Sequence, residues 1–367
     1  MQRLKVGLVA AGLVGQAEHA FFLWEDRDRF ELAAIADASA EVRASVGDRY
    51  GIAERHATLE PLLGLGLDAI VCAAPDPIHA GITIAALEAG LHVFCEKPLA
   101  LTVELCDDII AARDRAGRVL QVGYMKRFDP AVERLYDELP AAIGDVRFVS
   151  VEVNDPDHEP FVDHLPMTFG RDVAPSLISE SRALGTAQLA ASAGGALDAV
   201  GERGLGSGYL SAMVHDVAVV HGLLDRLGVP LPAEADHGAV FDEGRGVQLG
   251  FGLPGGGRVS MTHLNLPGVA DYTERVTVYC RDRILEIVFP SPYLRHLPTR
   301  LRVKRTDGAH GLATTEIRAS YEEAFRNELR GFHAAICDGV PVRTTAEDAR
   351  ADVALLVSAF RRSGAGV

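Results

Sequence analysis

The chain has 367 residues, more than one ordinary hydrophobic core serves, and fits two domains. Its 48% apolar and 24% charged residues are the balance of a folded globular protein, which excludes a disordered or fibrous chain. With 36 basic against 51 acidic residues the formal charge is −15, so no global basic field exists to hold nucleic acid or an anionic membrane surface. The five cysteines (Cys72, Cys95, Cys106, Cys280, Cys337) are odd in number and form no CxxC pair. Neither a disulfide framework nor a metal site is expected, and a reducing cytoplasm fits. Met1-Gln2-Arg3-Leu4-Lys5 runs straight into a strand-like stretch, and no 18-residue apolar span follows, so neither export nor membrane insertion is expected.

Taken in chain order, residues 5–11 read as a short apolar strand and 13–24 as a helix. The unit repeats: strand 30–37 and helix 40–50, strand 68–73 and helix 77–89, strand 92–96 and helix 102–116, then strand 119–123. Nearly continuous apolar strands alternating with helices predict a doubly wound parallel sheet covered on both faces. From 124 the texture changes. Alternating stretches at 146–153, 247–253, 258–265, 275–289 and 301–305 predict a large, mostly antiparallel open sheet. Helices at 321–337 and 346–361 close the chain, the second opened by the capping run Thr344-Thr345-Ala346-Glu347. The expected domains are therefore 1–123 and an α+β domain, 124–367. Within the latter, 155–208 reads as an insertion near a site; its part 174–208, rich in alanine, serine and glycine, reads as one extra helix with flexible flanks.

At the first strand-helix junction stands Ala10-Ala11-Gly12-Leu13-Val14-Gly15, a GxGxxG pattern with alanine in place of its first glycine. Gly12 would let the backbone approach a pyrophosphate, Gly15 would let helix and strand pack closely, and the amides at Leu13 and Val14 open the helix toward negative charge. Ala10 is expected to have an ordinary negative φ. Asp37 closes the next strand 25 residues after Gly12, where a carboxylate can accept from a ribose 2′-hydroxyl and would repel a 2′-phosphate. The pattern is that of a Rossmann dinucleotide domain. NAD is expected before NADP, because Ala38 and Ser39 supply no cation for a phosphate and Arg43 is the one basic residue nearby.

Three further segments form a series: Ala74-Pro75-Asp76-Pro77-Ile78-His79, then Glu96-Lys97-Pro98, then Gly123-Tyr124-Met125-Lys126-Arg127-Phe128-Asp129-Pro130. With these the chain resembles the Gfo/Idh/MocA family, the glucose-fructose oxidoreductase and inositol dehydrogenase relatives. Phe325-Arg326-Asn327-Glu328-Leu329 and the stretch 341–349 are similar too, and the likeness is weakest over 155–205. The resemblance implies hydride transfer between a nicotinamide and a secondary hydroxyl, or ketone, of a sugar, sugar derivative or cyclitol.

Lys97 follows a parallel strand at the end where open α/β sheets bind ligands. Partly desolvated, its ammonium can orient the reacting oxygen and join a proton relay. The alternative role is an ion pair with Glu96. The family also carries a histidine on a helix of the second domain, often with an aspartate four residues earlier. His215 matches and would be the general base, its ordinary pKa near 6.5 suiting the task. Ser211 stands at the aspartate's place and can hydrogen-bond but not act as a carboxylate. Asp216 and Arg127 are expected either to bind substrate or to support the fold, and Tyr124, Met125, Pro75 and His79 to lie near the nicotinamide.

Asp155, Asp157, His158, Glu159, Asp163 and His164 lack metal-ligand spacing and read as a polar loop, and His221 reads as packing or surface. Two other functions keep the same fold. One is an epimerase or eliminating enzyme whose tightly bound NAD is recycled; the other is a non-catalytic NAD(P)-sensing protein. A homodimer or homotetramer is expected if the second sheet offers a broad apolar outer face.

Overall fold

The computed structural model describes residues 2–366. By packing, the chain divides into two compact units. One takes in the chain up to Met125 with Val162–Gln188 and Phe325–Arg350; the other takes in Lys126–Phe161, Leu189–Ala324 and the chain from Ala351 onward. The division is not linear: where the sequence suggests one cut at 123/124, two later segments fold with the first unit.

Among its described residues the first unit has six strands: β1 (Leu4–Val9), β2 (Phe30–Ala36), β3 (Glu54–His56), β4 (Ala69–Cys72), β5 (His92–Glu96) and β6 (Leu120–Gly123). They run parallel in the order β3-β2-β1-β4-β5-β6. Leu4, Val6 and Leu8 of β1, all of β4, and Val93, Phe94 and Cys95 of β5 are buried, as strands covered on both faces must be. Strand β3, Glu54-Arg55-His56, is too short and polar for periodicity to have marked it. Helices Ala40–Tyr50 and Val103–Ala116 start where Ser39 and Thr102 accept the amides of Val42 and Leu105 at 3.1 Å each.

Residues 13–25 are helical, as expected, but Gly15–Ala20 is wound as a π-helix and all six of its residues are buried, Gln16, Glu18 and His19 among them. An α-helix would turn part of such a run outward. Six consecutive residues go more than once round a helix axis, so this segment is covered on every side, which a reading based on one buried helix face could not foresee.

The second unit holds β7 (Val146–Asp155), β8 (His237–Phe241), β9 (Gly246–Gly252), β10 (Arg258–Asn265), β11 (Thr273–Cys280), β12 (Arg283–Phe289), β13 (Arg300–Asp307) and β14 (Gly311–Ile317), ordered β14-β13-β12-β11-β7-β10-β9-β8. All pairs are antiparallel except β7 with β10, which run parallel from Phe148 and Arg258 to Asp155 and Asn265. The stretch 275–289 divides into β11 and β12 around Arg281 and Asp282. Edge strands β8 and β14 escaped the sequence reading because neither has a buried face to impose alternation.

The inner face carries Val149, Val151 and Val153 of β7, Val276 and Val278 of β11, and Leu285, Ile287 and Phe289 of β12. The π-helical segment Arg203–Met213 packs on β9 and β10. Side chains at Gly204 and Gly208 would meet Val240 Cγ1 at 2.8 Å and Val247 Cγ1 at 2.6 Å, so glycine here permits close approach to the sheet. The flank expected to be flexible is helical from Ala199 onward, and the extra helix of that region is Pro175–Ala193.

The outer face is mixed, not broadly apolar. The Phe148 and Tyr279 rings lie 5.9 Å apart, and Glu286 is contacted by Arg302 at 3.2 Å and Lys304 at 3.6 Å. Helices Ala324–Cys337 and Ala346–Ser363 lie where expected, with Thr345 Oγ1 accepting from Asp348 N at 3.0 Å. His221 is buried and packs its Nδ1 2.7 Å from Asp352 Oδ1.

Candidate active site

The strand order reverses at β1, whose neighbours are β2 on one side and β4 on the other. The carboxyl ends of strands at such a switch point form the ligand crevice of open α/β sheets. Val9 registers with Cys72, and Cys72 with Cys95. Three segments therefore emerge side by side on one sheet edge: Ala10–Gly15 after β1, Ala74–Pro75 after β4, and Lys97 after β5. Tyr124 and Met125 follow β6 on the same edge and are buried.

Within the glycine turn, Ala10 lies in the left-handed region with φ 62°, so the expectation of a negative φ is wrong. A side chain there is about 1–2 kcal/mol less favourable than in an ordinary conformation. Ala10→Gly is accordingly expected to stabilise the first unit by about 1 kcal/mol, read as a raised urea midpoint at unchanged slope; an unmoved midpoint would refute the strain. A Cβ on Gly15 would stand 2.6 Å from Ala10 O, while one on Gly12 would meet nothing within 4 Å. Gly15 is thus required by packing and Gly12 leaves open backbone, which is what a closely approaching pyrophosphate needs.

Asp37 is half-buried and held at both oxygens. Oδ2 accepts from Ala11 N and Oδ1 from Ser39 N, each at 2.8 Å. The carboxylate so bridges the glycine turn and the next helix start, and each oxygen keeps a second lone pair for a ribose hydroxyl. Arg43 donates to the main-chain carbonyl of Asp37. These residues fit a dinucleotide.

At the β5 end Glu96 is buried, with Oε1 2.6 Å from His19 Nε2 and Oε2 accepting from Lys97 N at 3.1 Å. The carboxylate holds the main chain of Lys97, whose side chain is half-buried. Burial opposes ionisation of Glu96, but the His19 hydrogen bond and the His19 and Lys97 charges outweigh it and keep its pKa below the ordinary value. Glu328 is fully buried, and its ligand atoms and those of His19 and Glu96 lie within 4.8 Å of one another. Burial, then the charges of Glu96 and Glu18, push its carboxyl well above the ordinary carboxylate range. His79 is also fully buried, with Nδ1 2.7 Å from Pro98 O and Nε2 2.7 Å from Ala74 O. Two carbonyl partners require both ring nitrogens to donate, as in the cation. Burial resists that charge, but Cys72, Asp76 and the two carbonyls hold the pKa above its ordinary value. His79 thus ties the chain after β4 to the loop carrying Lys97, and bears on this edge through those main-chain atoms.

In the second unit His215 is half-buried on helix Val214–Arg226, with Ser211 in the preceding segment. Asp216 is 2% exposed and is no surface carboxylate. Burial, then the charge and hydrogen bond of Glu274, raise its pKa well above the ordinary value, against the opposing pull of Lys126. Lys126 Nζ lies 2.5 Å from Glu274 Oε1, and Tyr272 donates to Glu274 Oε2. Although burial works against it, the charges of Glu274 and Asp216 hold the Lys126 ammonium above its usual range. His263 is driven down to about 4 by burial and by Lys126. Arg127 pairs with Asp225 at 3.2 Å within the same unit.

Neither the His19-Glu96-Glu328 group nor the Lys126-Asp216-Glu274-Tyr272 group was foreseen. A signal existed for part of them: Glu274 and His263 share the inward parity of Val276 and Val278 on β11 and of Val259 and Met261 on β10, where a polar residue demands a partner.

A parallel sheet with a glycine turn and a terminal carboxylate at its switch point defines an NAD(P)-binding Rossmann domain. Residues 4–124 match the Gfo/Idh/MocA pattern, described as an oxidoreductase family with an NAD-binding Rossmann fold. Inositol 2-dehydrogenase 3 of Saccharopolyspora erythraea is 34% identical over 139 residues, 38% of this chain and 41% of that protein. The chain thus aligns with about two fifths of the length of this curated relative. The solved structure of UDP-N-acetylglucosamine 3-dehydrogenase from Acidithiobacillus ferrooxidans superposes with a TM-score of 0.70 at 18% identity, covering 99% of this chain and 98% of that one. Biliverdin reductase from Synechocystis, solved with biliverdin and NADP⁺, gives 0.66 at 16% identity over 98% and 99%. These two likenesses concern the fold.

Proposed function

We propose that this protein is an NAD-dependent oxidoreductase transferring a hydride between nicotinamide and a secondary hydroxyl, or ketone, of a sugar, sugar derivative or cyclitol. The observation that carries the reading is the emergence of the glycine turn, Asp37 and Lys97 at one edge of the parallel sheet. The inositol dehydrogenase relatives support a polyhydroxylated substrate, since a fold shared with a bilin reductase does not choose one. Bound at this edge, the dinucleotide supplies the hydride acceptor. Lys97 would donate to the reacting oxygen and orient it, and His215 would accept the hydroxyl proton. Arg127, Ser211 and Asp216 belong to the substrate side of the proposal. No helix among the described residues is long and apolar enough to cross a membrane; a cytoplasmic location belongs to the proposal. The mixed outer face of the second sheet does not carry the expected homodimer or homotetramer.

Two second readings keep the same fold: recycling of bound NAD, and a sensor without chemistry, which Ser211, a hydroxyl at the family's carboxylate position, favours. Purified protein mixed with NAD and a panel of sugars and inositols separates the three. Growth of reduced-nicotinamide absorbance means dehydrogenase, altered sugar without that signal means recycling, and NAD binding with neither means sensor. Asp37→Ala should weaken NADH binding on the order of tenfold, the loss of a charge-assisted hydrogen-bond pair, in a fluorescence titration. Unchanged affinity would mean that the ribose is read elsewhere.

A further inference from the structure

Residues 167–172, inside the region the sequence left unread, run beside the start of helix Ala40–Tyr50 within the first unit. Gln16 holds them at two points: Nε2 donates to Thr168 O at 2.8 Å and Oε1 accepts from Thr168 N at 3.1 Å. Ser45 Oγ and Thr168 Oγ1 are 2.7 Å apart. At Gly170 a Cβ would fall 2.1 Å from Ser39 Oγ, so only glycine lets the strand of chain pass. Asp172 then reaches the first turn of the helix. Its Oδ1 accepts from Ser39 Oγ, and its Oδ2 accepts from Ala40 N at 2.7 Å and Glu41 N at 3.3 Å.

Those amides are the helix's natural anion site. They also adjoin the place where a 2′-phosphate would lie, because Asp37, whose Oδ1 accepts from Ser39 N, ends the strand at which the ribose 2′-oxygen is read. We infer that Asp172 is a specificity-determining residue: the chain's own carboxylate fills the donors a 2′-phosphate would require, so an adenosine ribose is accepted only with its 2′-hydroxyl free. The inference rests on the reading that the glycine turn and Asp37 hold a dinucleotide. Ser39 and the helix amides keep Asp172 below the ordinary carboxyl range, so it is charged at neutral pH. A phosphate bearing about −1.5 to −2 would have to displace a carboxylate from three donors or settle beside two carboxylates. Arg43, turned to the Asp37 carbonyl, already spends a donor on the main chain.

The test is direct binding, without turnover. NADH, NADPH and adenosine 2′,5′-bisphosphate are titrated by calorimetry into the full-length protein and into Asp172→Asn and Asp172→Ala. Asp172→Asn keeps an acceptor for the helix amides and so preserves the fold. Wild type should bind NADH and discriminate against both 2′-phosphorylated ligands. The variants should bind those two tighter on the order of tenfold or more, with NADH affinity within about threefold. Variants that bind NADH normally and still discriminate as wild type does would overturn the inference and leave the dinucleotide reading standing. So would a wild type that takes NADPH as readily as NADH. A wild type that binds none of the three would remove the dinucleotide reading itself, and the role of Asp172 with it.

Discussion

Replacing Lys97 by alanine is expected to lower turnover by about 10²–10⁴-fold, the usual worth of a group that aids proton movement at the reacting oxygen, while NADH binds within a few fold of wild type. The split follows from where the residue stands. The glycine turn and Asp37, which would hold the pyrophosphate and the ribose, lie on β1 and β2, whereas Lys97 follows β5. Its main chain is fixed by Glu96, itself held by His19, so removal of the ammonium leaves the loop in place. The measurement is single-turnover absorbance of reduced nicotinamide with whichever polyol the panel identifies, beside an NADH titration of the same sample. Activity within tenfold of wild type would exclude Lys97 from the chemistry. A large loss of NADH affinity with proportionate loss of activity would make it a cofactor ligand instead. Lys97→Arg keeps the charge but offers a planar fork in place of a compact ammonium, and is expected to recover little.

The largest effect on stability is expected at Lys126. Lys126→Met removes the cation from a site where Glu274 is fully buried and Asp216 nearly so, leaving the negative charge of that pair without compensation. Breaking a buried ion pair from one side costs about 3–5 kcal/mol, because the remaining charge has neither water nor partner. Urea denaturation followed by circular dichroism reads this as a lowered midpoint for the second unit. A shift worth less than about 1 kcal/mol would show that water or a rearranged proton already screens the group. The double variant Lys126→Met, Glu274→Gln should recover part of the loss, since neutralising Glu274 removes the orphaned charge; simple additivity of the two substitutions would contradict the pairing.

The parts of the site legible in the sequence are those coded within a few residues of a strand end. Gly12, Gly15, Asp37 and Lys97 each follow an apolar run whose end can be read, and the sheet places them where such ends belong. Ala10 shows the limit: the pattern suggested that alanine stands there only with negative φ, whereas contact of Gly15 with Ala10 O goes with a left-handed turn despite the methyl group. His79 grips two carbonyls that its own sequence neighbourhood does not reveal, because a ring's hydrogen bonds depend on which loops fold against it. Of the flank of 174–208 expected to be flexible, the part from Ala199 onward is helical, with Gly204 and Gly208 set against Val240 and Val247, residues of a strand pair that periodicity could not align with them.

The order of short apolar strands and helices, with the chemistry of one turn, was enough by itself to determine a doubly wound dinucleotide domain followed by a large open sheet. Both signals are local: side-chain period and backbone conformation are set by immediate neighbours along the chain. Only the tertiary structure decided which charges exist and what they touch. Ser39 and Asp172 are 133 positions apart, and His19 and Glu96 77 apart. Whether a carboxyl such as Glu328 or Asp216 keeps its proton depends on the water and charge that distant segments remove or bring, a sum that no stretch of sequence contains.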